Sequence, residues 1–129
     1  MPRKFVTLNY VLRNAHTIRF EDRPEKYKFG TKNYGDIPGL YNKSDGDPWD
    51  VFAPGYSYTL STSNSYRIKK ILGILLLENG NHKIAVKLYA SQAPGFNYKR
   101  AMKEIDTYCS KYTRGMRLRG EYLSFLDPE

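Results

Sequence analysis

Apolar and polar positions alternate from Lys4 to Leu12, with Phe5, Leu8, Tyr10 and Leu12 set among Thr7, Asn9 and Arg13. They alternate again from His16 to Phe20, with Ile18 and Phe20 inward. Joined by a turn at Arg13-Asn14-Ala15, the two runs predict a β-hairpin, with His16 exposed at a strand end. From Glu21 to Asn64 the pattern breaks, punctuated by Pro and Gly every few residues. Short strands are predicted there at Tyr27–Phe29 and Trp49–Ala53, and a polar loop from Leu60 to Ser65. Tyr66–Leu77 is rich in Ile and Leu and predicts a strand buried on both faces, bent or bulged at Gly73. Glu78-Asn79-Gly80-Asn81 carries a strong hairpin signal, and His82–Tyr89 returns as a strand. Asn97 is placed to cap a helix. Ala101, Met102, Ile105, Tyr108, Cys109 and Tyr112 then recur at helical spacing, and Gly115 is placed to end it. Arg117–Phe125 adds a last strand or extended tail.

The 129 residues suit one domain, 1–129, and 40% hydrophobic content with 19 aromatic residues suits a packed core. The longest apolar run, Ile71 to Leu77, is too short to span a bilayer. The basic Met1-Pro2-Arg3-Lys4 leads into no signal-type apolar segment, so no secretory leader is expected. A lone cysteine allows no internal disulfide and fits a reducing, cytoplasmic setting. One Cys and two His exclude a Cys/His zinc tetrad, and no P-loop, dinucleotide turn or nucleophile elbow is present. The net charge of +8 invites an anionic or acidic partner. Direct nucleic-acid binding is disfavoured, because the Lys and Arg are spread along the chain.

One stretch concentrates chemistry: Ser44-Asp45-Gly46-Asp47-Pro48-Trp49-Asp50-Val51. Gly46 favours a tight turn, and Pro48 keeps Asp47 extended. The turn feeds a strand with Trp49 and Val51 on one face and Asp50 on the other. Three acids so close repel unless a proton or a cation neutralises them, and Mg²⁺ takes oxygen ligands of this kind. Taken alone, the same residues equally suit a solvated polar turn.

Asn33-Tyr34-Gly35, Ile37, Asp45-Gly46-Asp47-Pro48-x-Asp50-Val51 and Pro54 together resemble the signature region of the soluble (family I) inorganic pyrophosphatases. The likeness runs on through Leu72-Gly73-Ile74-Leu75 and Lys83-Ile84-Ala85-Val86, and more weakly to a helix ending in Lys111-Tyr112. The resemblance implies a mainly β (α+β) fold: a small closed OB-like barrel with one C-terminal flanking helix. It implies Mg²⁺-dependent hydrolysis of diphosphate to two phosphates. Asp45, Asp50 and Glu78 match metal ligands. Asp47 matches the carboxylate that orients or deprotonates the attacking water. Arg23, Tyr34, Lys83 and Tyr112 match phosphate-contacting positions.

The departures bear on function. Val6 stands where the family places an acid, Asn81 replaces a further ligand, Gly30 replaces a Tyr and Thr113 a Lys. Only Asp45, Asp47, Asp50 and Glu78 remain of a larger carboxylate set, so Mg²⁺ is expected to bind weakly or not at all. The leading expectation is a degenerate pyrophosphatase fold reused as a structural or protein-interaction module, with a protein partner or homo-oligomer. Its Lys-, Asn- and Tyr-rich character suits a virion or capsid-associated component of a large DNA virus. An active Mg²⁺-dependent inorganic diphosphatase is the alternative. A nucleic-acid-binding OB-like module is the third.

Overall fold

The computed structural model describes residues 3–21, 33–76, 80–116 and 121–122. Its elements run α1 (Leu8–Asn14), β1 (Thr17–Phe20), β2 (Tyr34–Tyr41), β3 (Pro48–Phe52), β4 (Ser65–Leu76), β5 (Lys83–Leu88), α2 (Tyr98–Met116) and β6 (Glu121–Tyr122). The sheet order is β1-β2-β3-β5-β4, and β4 pairs back onto β1, closing a five-stranded barrel. All neighbours are antiparallel except β3 and β5. The long β4 serves two partners along one edge: its start pairs with β1 and its end with β6. The fold is the mainly β, OB-like barrel expected from the resemblance.

Two apolar layers follow from the alternation of side chains across each strand. Ile18, Phe20, Ile37, Trp49, Val51, Tyr66, Ile84, Val86 and Leu88 fill the barrel interior. Tyr34, Phe52, Leu72, Leu75 and Ala85 point the other way and are covered by Ala101 and Ile105 of α2. The end of β3 and the middle of β5 are therefore buried on both sides, and Val51-Phe52 and Ile84-Ala85-Val86 read as apolar runs. Gly35 permits tight closure between β1 and β2: a Cβ there would lie 1.9 Å from the Arg19 carbonyl oxygen.

β4 carries two register shifts, between Ile68 and Lys70 and between Ile71 and Gly73. The first has a clear effect. Strict alternation would turn Lys70 inward beside Ile68. The extra residue instead lets Ile68 and Ile71 both pack against the interior.

The expected N-terminal hairpin is not formed. Thr7 caps α1, its Oγ1 accepting from the Tyr10 N–H at 3.2 Å. Leu8, Val11, Leu12 and Ala15 then pack on the barrel at i, i+3, i+4 spacing. The cap and that spacing outweigh the alternation, and Tyr10 is left exposed. The barrel accordingly carries two helices, not one. β2 was expected to be irregular, because Pro38 and Gly39 interrupt it. It accommodates them through a register shift between Asp36 and Tyr41. The Asn97 cap holds: its Oδ1 accepts from the Arg100 N–H at 2.8 Å. α2 runs one residue past Gly115, to Met116. The strand expected at Tyr27–Phe29 lies outside the described residues. No helix among the described residues is long and apolar enough to cross a membrane.

Candidate functional site on the outer barrel face

The acidic turn is built by Asn42, buried at the end of β2. Its N–H donates to the Asp47 carbonyl at 2.8 Å, and its carbonyl accepts from the Gly46 N–H at 2.9 Å. Its Oδ1 accepts from the Ser44 N–H at 2.9 Å. Its Nδ2 donates to the Gly80 carbonyl at 3.0 Å, tying the turn to the β4–β5 connection. Gly46 takes a φ of 77°, as the turn demands. Asp45 Oδ1 accepts from the Asp47 N–H at 3.0 Å, so this carboxylate helps hold the turn. Asp45 and Asp47 are both exposed.

Pro48 opens β3, and the pleat does what the residues predicted. Trp49 and Val51 enter the barrel interior, and Asp50 faces out. The parallel β3–β5 register sets Asp50 beside Lys83. Lys83 Nζ donates to Asp50 Oδ2 at 2.5 Å, with the lysine side chain 2% exposed and the aspartate 18%. Burial pushes the Lys83 ammonium below its ordinary pKa. Attraction and hydrogen bonding from Asp50 oppose that shift, with a smaller attraction from Asp45. Across the β2–β3 ladder Asp36 lies directly opposite Asp50. Asp36 was not singled out from the sequence, and neither was Asn42. The cue for Asp36 was its position two residues after Tyr34 on one strand, legible only once β2 is known to be a strand.

Of the other expected site residues, Tyr34 is buried beneath α2 with Phe52 and Ile105. Asn81 and His82 are half-buried beside Lys83, and the His82 ring stacks on Trp49 with centroids 6.1 Å apart. Arg23, Glu78 and the side chain of Tyr112 lie outside the described residues. Among the described residues, no three His, Cys, Asp or Glu side chains converge closely enough to hold one metal ion. Of the described carboxylates, Asp50 is paired with the Lys83 ammonium, and Asp45 Oδ1 accepts a backbone N–H.

An OB-like barrel with an acidic turn leading into β3 and a helix laid over its outer face defines a divergent inorganic-pyrophosphatase fold. A solved structure agrees at the level of the fold. An inorganic pyrophosphatase from Ehrlichia chaffeensis matches at 19% identity and a TM-score of 0.50, over 77% of this chain and 62% of that one. One from Coxiella burnetii matches at 19% identity and a TM-score of 0.49, over 74% and 62%. The chain thus spans less than two thirds of the length of the pyrophosphatases it matches. No protein-family model matches it, and no curated protein does.

Proposed function

We propose that this is a pyrophosphatase-fold protein with little or no diphosphate hydrolysis, its barrel reused as a structural or protein-interaction module. The Asp50–Lys83 ion pair carries this reading. A carboxylate neutralised by a buried ammonium has little charge left to balance a divalent cation. Asp45, whose Oδ1 accepts from the Asp47 N–H, and the Val6 and Asn81 positions, which the resemblance assigns to acids, add to it. Loss of several cooperating groups removes most of a rate enhancement. A protein partner or a second copy is the proposed ligand, since Tyr and Arg are favoured interface anchors. The proposed setting is intracellular, as a virion or capsid-associated component, and it rests on composition alone.

One observation favours a second reading, an Mg²⁺-dependent inorganic diphosphatase. Asp36 faces Asp50 across the ladder and adds a carboxylate that the resemblance did not supply. Phosphate release from diphosphate with Mg²⁺, in the parent chain and in Asp47→Asn, separates the two. Equal background rates support the silent scaffold. Release that disappears in Asp47→Asn establishes the enzyme.

A further inference from the structure

The fold sets Lys87 beside a run that is already dense in cations, Arg67, Lys69 and Lys70. Both lie on the antiparallel β4–β5 pair. Arg67 lies opposite Tyr89, whose N–H donates to the Arg67 carbonyl at 3.4 Å. Lys70 pairs with Lys87 across the ladder. Lys87 and Tyr89 are two residues apart and so share the face opposite to Val86 and Leu88, which fill the interior. The register shift after Ile68 keeps both neighbouring isoleucines inward, leaving Lys69 exposed beside Arg67.

Aromatic rings are interleaved with these charges. Arg67 Cζ lies 4.8 Å and Lys69 Nζ 5.1 Å from the centre of the Tyr89 ring. Lys87 Nζ lies 4.9 Å from the centre of the Phe96 ring, just before α2. Tyr98, the first residue of α2, is 46% exposed. A row of cations alone would suit any polyanion. Cations set on aromatic rings suit one that offers both phosphates and stackable bases.

We propose that the outer face of β4 and β5 binds single-stranded nucleic acid, with Arg67, Lys69 and Lys87 meeting phosphates and Tyr89 supplying a stacking surface. The sequence disfavoured this partner because its Lys and Arg are spread along the chain; strand pairing adds Lys87 and Tyr89 to the Arg67–Lys70 run. The surface does not depend on whether the acidic corner is silent.

The test is fluorescence anisotropy of a labelled oligo(dT) of about 20 nucleotides against the full chain across a salt series. The parent chain is expected to bind, with log K falling linearly in log salt. Arg67→Glu/Lys69→Glu is expected to weaken binding tenfold or more at low salt, on the order of 1.4 kcal/mol, and to flatten the slope by about 1.4. Arg67→Gln/Lys69→Gln guards against misfolding and should lose less affinity with the same flattening. Tyr89→Ala should weaken binding by about fivefold or more without changing the slope. Arg13→Glu/Lys43→Glu makes the same change in net charge at exposed sites elsewhere and should bind nearly as well as the parent. No binding at low salt overturns the proposal, as does an equal loss in Arg13→Glu/Lys43→Glu. Competition by polyglutamate as strong as by oligo(dT), with no effect of Tyr89→Ala, would also overturn it and assign the face to an acidic protein.

Discussion

Lys83 and Asp50 sit side by side in neighbouring parallel strands, with Nζ 2.5 Å from Oδ2 on the outside of the barrel. The lysine is almost wholly enclosed, and the aspartate reaches the edge of the layer beneath α2. The pair is the electrostatic centre of the acidic corner.

Breaking that pair from one side should cost more than removing both charges. Asp50→Asn leaves the enclosed Lys83 ammonium without this carboxylate and is expected to lower stability by about 3 kcal/mol. Asp50→Asn combined with Lys83→Met should lose less than Asp50→Asn alone. Urea denaturation of the parent, both single variants and the double variant gives the coupling directly. Additive losses would mean the pair carries no net interaction.

His82 should make the protein sensitive to mild acid. Burial, and then the neighbouring Lys83 charge, hold its imidazole below the ordinary value of 6.5. Between the folded pKa and 6.5 the unfolded chain binds more protons than the folded one. Stability should therefore fall as pH drops through that window and level off beneath it. Urea midpoints measured from about pH 7.5 down to 5 should show the slope in the parent and a flatter profile in His82→Gln.

Gly35 and Gly39 should respond very differently to the same methyl group. At Gly35 an added Cβ meets only backbone, the Arg19 carbonyl and the Phe20 Cα, so β1 must shift. Gly35→Ala is expected to cost about 3 kcal/mol or more. Gly39 has a φ of +84° but nothing within 4 Å of a new Cβ, so Gly39→Ala should cost about 1–2 kcal/mol. Thermal melts of the two variants check the order.

Asn33 acts as a buried clasp between β2 and the loop before β4. Its Oδ1 accepts from the Leu60 N–H at 2.8 Å, and its Nδ2 donates to the Tyr58 carbonyl at 3.2 Å. Asn33→Ala strands both backbone groups and should cost about 2 kcal/mol. Hydrogen exchange at the Leu60 amide should accelerate more than exchange in β5. Unchanged protection at Leu60 would show that the clasp is dispensable.

The sequence announced β1, β3, β4, β5 and α2, because each carries one dominant period or a clear cap. It also announced the inward turn of Trp49 and Val51 against the outward turn of Asp50. It misplaced α1, where Phe5, Leu8, Tyr10 and Leu12 alternate by accident while Leu8, Val11, Leu12 and Ala15 carry the packing. β2 was hidden by Pro38 and Gly39, which a register shift absorbs. Two facts about the candidate site could not be seen in one dimension. That Lys83 lies on Asp50 depends on a parallel register between strands 33 residues apart. That Asp36 faces Asp50 depends on β2 being a strand at all.

Strands with apolar residues on both sides are poorly told apart from themselves displaced by one position. Phe52 and Ala53, or Ile84, Ala85 and Val86, would bury acceptably either way round. Lys83 removes that ambiguity. A one-residue slip of β5 would drive its ammonium into the barrel interior, away from Asp50, at a cost no apolar contact could offset. The same contact that neutralises Asp50 thus fixes how the chain threads its own barrel.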